Sequence, residues 1–318
     1  HRDLHSFPTR RSSDLGSAIG GDILNSFLNF ADGTSKISIR VNRNYDLPRD
    51  INSDTNIIAS SYSGNTEETL TALDKASKIT NRIVCITSGG ELEKIAIEKD
   101  YPFIKIPSGY QPRCALGYSF FPLLHIIIKS GLFSENIMCN IDGCIIKAIS
   151  VLKKKSLIYS EITDENPAIK IAQQIHDSII LIFSTFQKTD SIAERWKCQI
   201  NENSKALAFT SVLPEMNHNE INSFTFPQGI SKKCSLILLE DFDENPKNKI
   251  RFKALENLLG KNVKNVIKIS TEKDCPLARI LDMVYLGDWV SFYLAMIYNI
   301  DPTPIPLITE LKSILSKQ

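Results

Sequence analysis

The chain has 318 residues, enough for two domains, and 42% of them are hydrophobic, as in an ordinary globular protein. Its 37 Lys and Arg nearly balance 36 Asp and Glu, and a net charge of +1 argues against a general nucleic-acid binder. No uninterrupted apolar run reaches the about 18–20 residues of a membrane span, which argues against a membrane protein.

Seven cysteines are scattered along the chain with no Cys-x-x-Cys pair, which fits free thiols in a reducing cytoplasm. Cys139 and Cys144 are close in sequence, but no His lies nearby to complete a zinc set, so no metal is expected.

Residues 1–15 mix charges and serines, carry the pair Arg10-Arg11, and lack the apolar centre of a secretory signal. They abut Gly16-Ser17-Ala18-Ile19-Gly20-Gly21-Asp22, which reads as a glycine-rich turn entering a helix over 22–30. Such a turn normally follows a buried strand, and no strand-like run precedes it. The expectation is that residues 1–15 are foreign to the protein, like translated adapter sequence. A strand would then be missing from the first sheet, leaving the chain unstable or poorly active.

Strands are expected over 36–41, 56–59, 82–87 and 103–106, with helices over 67–78, 91–98 and 115–129. A joint over 143–165 contains the basic run Lys153-Lys154-Lys155. The pattern then repeats: strands over 178–183, 206–209, 234–239 and 265–269, and helices over 190–203, 281–298 and 307–315. Alternating strands and helices with short connections indicate parallel sheets covered on both faces. The expectation is an α/β chain of two tandem three-layer αβα domains, 16–150 and 151–318.

One turn stands out. Ser61-Tyr62-Ser63-Gly64-Asn65-Thr66 joins a strand end to a helix start. The first N–H groups of a helix lack partners, and its dipole favours an anion there. Ser61, Ser63 and Thr66 add hydroxyl donors, Gly64 permits close approach, and no basic residue is present. Either this is a helix N-terminus capped by Ser and Thr, or it is a phosphate site built from neutral donors.

Further along, Asn201-Glu202-Asn203 and Pro214-Glu215-Met216-Asn217-His218-Asn219-Glu220 are densely polar. A carboxylate and an imidazole can move protons near neutral pH, although each residue alone also reads as solvated. Arg113 stands near a helix start, the less favoured end for a cation. It is either a surface arginine or one facing an anionic ligand. Lys312, taken alone, is a solvated lysine of the last helix.

Taken together, these motifs resemble the bifunctional phosphoglucose/phosphomannose isomerase family, built from two sugar-isomerase (SIS) domains. The match runs through 16–22, 61–66, Arg113 with Gly117-Tyr118, 201–203, 214–220 and Asp301-Pro302 through Lys312. The serine-rich turn alone marks any phosphosugar-binding SIS domain, whereas the Asn-Glu-Asn and Asn-His-Asn-Glu runs are more specific.

The resemblance implies that Ser61, Ser63 and Thr66 hold a sugar phosphate, with Gly16 and Ser17 in the same pocket. It implies Glu202 as the base between C1 and C2, and Arg113 beside a cis-enediolate. His218 assists ring opening from the neighbouring subunit of a homodimer, and Lys312 lies near the ring oxygens. The substrate is a phosphorylated hexose, with no cofactor and no metal, in the cytoplasm. Proton return to either face of C2 needs rotation of the enediolate, which Thr303 could assist. Two other readings stay open: a phosphosugar-sensing regulator without catalysis, and the isomerase half of an amidotransferase.

Overall fold

The computed structural model describes residues 8–12, 15–31, 38–131, 135–227 and 229–315. It divides into two compact units, His1–Asp142 and Gly143–Gln318.

In the first unit, strands β1 (Pro8–Ser12), β2 (Ser38–Asn42), β3 (Ile57–Ser61), β4 (Ile83–Thr87) and β5 (Phe103–Lys105) form a parallel sheet in the order β2-β1-β3-β4-β5. Helices α1 (Leu15–Ala31), α2 (Glu67–Ser77), α3 (Gly90–Glu98) and α4 (Leu116–Lys129) cover it. On one face Ile57, Ala59, Ile83 and Cys85 pack under Leu73 and Ala76 of α2 and Leu92 and Ala96 of α3. Strand residues alternate in direction, so Ile58 and Ile86 lie buried on the opposite face. There α1 and α4 pair through buried residues such as Phe27 and Phe120.

Two expectations for the first unit need correction. β1 occupies the place of the strand thought to be missing, with Arg10 and Arg11 in register with Ile57 and Ile58 of β3. Pro-Thr-Arg-Arg-Ser has none of the apolar character of a central parallel strand. Its strand geometry comes from the ladders on both sides, which a sequence pattern does not reveal. In addition, 16–22 is not a turn: helix α1 starts at Leu15 and includes it. Residues 1–7 and 13–14 of the supposed foreign segment lie outside the described residues.

Helix α5 (Glu135–Ser160) runs across the division between the units. The second unit contains α6 (Pro167–Ile175), β6 (Ile179–Thr185), α7 (Asp190–Gln199), β7 (Ala208–Leu213), β8 (Cys234–Glu240), α8 (Pro246–Leu259), β9 (Asn265–Ser270), α9 (Pro276–Ile297) and α10 (Pro306–Leu315). Its parallel sheet runs β7-β6-β8-β9. Both sheets therefore place their first strand inside, the second on one side and the remaining strands, three in the first sheet and two in the second, on the other. The chain reverses direction beside β1 and β6, where open α/β sheets form ligand crevices at the carboxyl ends of strands.

Every residue of β8 is buried. One face packs Leu236 and Leu238 with Phe183, Phe252 and Leu255. On the helical side, Trp196 of α7 donates its Nε1–H to the Met283 carbonyl at 2.9 Å. Gly287 of α9 makes room for it, since a Cβ there would fall 2.2 Å from the same nitrogen. Helix α9 qualifies the expectation about membrane spans. Its 22 residues are long and apolar enough to cross a membrane, but 56% of its most apolar window is buried inside the unit, where it packs on α6 and α7. It is a core helix, and its apolar run is interrupted by Arg279, Asp282 and Asp288.

Candidate active site

β3 ends at Ser61, and α2 begins at Glu67 after Thr66 takes the cap position in extended conformation. The turn between them curls around Ser61, which is wholly buried. The Ser61 hydroxyl accepts the Gly64 N–H at 3.1 Å and lies 2.7 Å from the Thr66 hydroxyl. Ser63 stands exposed at the rim, and its Oγ accepts the Asn65 N–H at 3.3 Å.

A second turn, after β4, braces the first. Ser88 donates both its N–H (3.1 Å) and its hydroxyl (2.6 Å) to the Tyr62 carbonyl. Leu92 donates its N–H to the Gly64 carbonyl at 2.9 Å, and Asn65 Oδ1 accepts the Glu91 N–H at 3.0 Å. The three hydroxyls named from the sequence are thus gathered in one rigid turn at the carboxyl end of a central strand. Gly16 and Ser17 lie in the first turn of α1, which follows the neighbouring strand β1.

Arg113 is not a surface arginine. It sits at 5% exposure in the 3-10 turn Pro112–Cys114, just before α4. The loop leading to it is tied to the serine-rich turn, because the Tyr110 N–H donates to the Tyr62 hydroxyl at 2.9 Å. Tyr110 and Tyr118 stand side by side with ring centres 5.6 Å apart.

In the second unit, Glu202 is half-buried within the π-turn Ile200–Ser204 that ends α7. Insertions of this wide turn into helices recur at functional sites. Its neighbours are pinned to α9: Asn203 Nδ2 donates to Ser291 Oγ at 2.9 Å, and the Ser204 hydroxyl donates to the Ser291 carbonyl at 2.6 Å. Below them, buried Arg195 grips Asp288 through Nε at 3.0 Å and an NH2 group at 2.8 Å, and Gln199 donates to the same carboxylate at 3.0 Å.

His218 is exposed at the end of the 3-10 turn Glu215–His218, which buried Met216 anchors in the core. Lys312 is exposed on α10. Glu202 precedes β7 and His218 follows it. The six residues of that strand, spanning about 20 Å at ~3.3 Å per residue, run between the segment bearing Glu202 and the one bearing His218.

Residues 164–315 match the family described as the bacterial phospho-glucose isomerase C-terminal SIS domain. A bifunctional phosphoglucose/phosphomannose isomerase of Caldicellulosiruptor bescii is 40% identical over 304 residues, covering 95% of this chain and 87% of the relative. The chain belongs to the bifunctional phosphoglucose/phosphomannose isomerase family. A second relative of that name, from Aquifex aeolicus, is 34% identical over 279 residues, or 86% of this chain and 80% of its own length. Among solved structures, the C-terminal domain of glucosamine-fructose-6-phosphate aminotransferase from Francisella tularensis aligns with a TM-score of 0.68 at 14% identity, over 93% of this chain and 86% of that one. At that identity the likeness bears on the fold alone, and the fold is the two-layered helix cover of SIS domains on parallel sheets.

The serine-rich turn of the first unit has no chemical counterpart among the described residues of the second. The equivalent β8–α8 turn reads Asp241-Phe242-Asp243-Glu244-Asn245. Asp241 is wholly buried and accepts a hydrogen bond from Thr271 Oγ1 at 2.7 Å, while its carboxylate lies 3.3 Å from Arg279 Nε. Asp243 pairs with Arg279, whose guanidinium holds its carboxyl below the ordinary range. That corner is internally neutralised and acidic, so it does not resemble a phosphate cradle. Sequence reasoning missed Tyr62, Asn65 and Ser291 as supports of the site. Their roles depend on partners distant in the chain, to which no local pattern points.

Proposed function

We propose that the chain is an aldose–ketose isomerase that interconverts glucose 6-phosphate, and also mannose 6-phosphate, with fructose 6-phosphate. The observation that carries this reading is the braced turn 61–66, where hydroxyls and a helix N-terminus converge at a strand end. Ser63, Thr66 and the turn's N–H groups meet the phosphate, and Ser61 at the base orients the Thr66 hydroxyl. Gly16 and Ser17 complete the cradle from the adjoining helix start. The phosphate then contributes remote binding energy that fixes the reacting carbons.

Chemistry needs one base and one fixed positive charge. The Glu202 carboxylate takes the proton from C2 of the open-chain aldose, and the C1 carbonyl becomes the oxyanion of a cis-enediolate. Arg113 stabilises that charge. Glu202 returns the proton to C1 while the O2 proton passes to O1, which leaves the ketose. Return to either face of C2, aided by Thr303 beside a rotating enediolate, gives glucose or mannose product. His218 and Lys312 move the protons of ring opening. As the family resemblance implies, the imidazole is supplied by the second subunit of a homodimer. Domains 16–150 and 151–318 are the two SIS domains of each subunit, working in the cytoplasm.

A coupled dehydrogenase assay of fructose 6-phosphate conversion tests the reading. Activity that falls by at least a hundredfold in Glu202→Gln supports it. Binding of the sugar phosphate without turnover in the unmodified chain would favour a phosphosugar sensor.

A further inference from the structure

One lysine ties two functional segments together through their main chains. Lys205 follows the π-turn of Glu202 in left-handed conformation, with φ +53°. Its ammonium donates to three main-chain carbonyls: Asn203 at 3.1 Å, Asp301 at 2.9 Å and Pro302 at 3.2 Å. An ammonium carries three donor protons and no acceptor, so it can serve all three carbonyls. Ammonium-to-carbonyl bonds are charge-assisted and stronger than neutral ones.

The geometry of the strap is specific. Asn203 is the residue after Glu202. Asp301 and Pro302 belong to the loop between α9 and α10, where Asp301 Oδ1 also accepts the Thr303 N–H at 2.8 Å. Four residues after Pro302, α10 begins and carries Lys312. On its other side the same turn is held by Ser291, which takes the Asn203 amide and the Ser204 hydroxyl. The π-turn is therefore fixed to α9 by Ser291 and to the α10 approach by Lys205. A π-turn departs from helical hydrogen bonding and needs such outside partners to keep one shape.

We propose that Lys205 is a positioning residue for Glu202: it clamps the π-turn against the 301–303 loop, so that the base is held in line with the segment bearing Thr303 and Lys312. The inference rests on Glu202 being the base. Lys205 acts through the main chain on either side, and proton transfer from carbon is the step most sensitive to small misplacement.

The test compares Lys205→Met with the unmodified protein in steady-state turnover of fructose 6-phosphate, beside Glu202→Gln and the double variant. The expected result is a kcat lowered at least tenfold with KM within twofold. In the double variant, kcat falls no further than in Glu202→Gln alone, because a clamp has nothing to position once the base is gone. Should Lys205→Met melt below the assay temperature, Lys205→Arg carries the comparison. It keeps the charge, but its planar fork cannot direct one proton at each of three carbonyls. A kcat unchanged in a folded Lys205 variant overturns the proposal, as does a loss that multiplies with that of Glu202→Gln. Full activity in Glu202→Gln would instead overturn the reading beneath it, and is recognisable whatever Lys205→Met does.

Discussion

Glu202 and His218 stand at opposite ends of β7, one before Ala208 and the other after Leu213. The strand carries the chain from one end of the sheet to the other between the two. If each site draws Glu202 from one subunit and His218 from the other, two dead variants can repair one another. Glu202→Gln mixed with His218→Ala yields heterodimers in which one site carries both lesions and the other carries neither. With free exchange, half the dimers are mixed and half their sites intact, so activity recovers to about a quarter of the unmodified level. Subunit exchange followed by the coupled assay reads this directly, and no recovery despite exchange would mean the sites are not shared.

The serine-rich turn depends on two glycines in contact. Gly64 has φ +72°, and a Cβ there would fall 1.8 Å from the Gly89 carbonyl oxygen. Gly64→Ala must therefore push the two turns apart as well as strain its own backbone. The expected cost is about 3 kcal/mol or more of stability, together with loss of sugar-phosphate affinity. Thermal unfolding and titration calorimetry with fructose 6-phosphate measure the two effects.

Thr69, in the first turn of α2, is wholly buried, and its hydroxyl has no hydrogen-bond partner. A buried polar group without a partner costs about 1–3 kcal/mol relative to an apolar one of the same shape. Thr69→Val should then raise the melting temperature while leaving kcat and KM unchanged. A fall in substrate affinity would instead show that this hydroxyl turns to the phosphate when substrate binds.

Asp190 begins α7, and its carboxylate accepts the Gln187 N–H at 3.0 Å. Burial raises its pKa above the ordinary 3.8 despite those backbone bonds. A carboxyl whose folded pKa is raised holds its proton longer in the native state. Its contribution to stability is then fully present below about pH 3.8 and lost as pH rises through the raised value. Asp190→Asn keeps an acceptor and removes the charge. Its melting temperature relative to the unmodified protein should be higher at pH 7 than at pH 3, measured by scanning calorimetry at both.

The sequence made the sheets legible where strands are continuous apolar runs, as in β3, β4 and β8, and it singled out the 61–66 turn because hydroxyls and glycine cluster there locally. It did not disclose β1, whose charged residues carry no strand pattern and whose geometry is imposed by ladders to β2 and β3. Nor did it disclose the π-turn. Residues 190–203 read as one helix, and the departure at Ile200 is fixed by Ser291 and Lys205, whose partners lie about ninety residues away. For a similar reason the sequence left Arg113 open between a surface position and one facing an anion, since its burial comes from how the loop docks and not from its neighbours in the chain.

The central claim is proton transfer through an enediolate with Glu202 as the carrier. Turnover of fructose 6-phosphate in D2O, followed by NMR of the aldose products, tests it most directly. The account predicts that C2 of both glucose 6-phosphate and mannose 6-phosphate carries hydrogen passed from C1 together with deuterium wherever the Glu202 proton exchanges before its return, and that neither product forms with Glu202→Gln. Both aldoses formed at the same rate and with the same C2 labelling when Glu202 is replaced would contradict it.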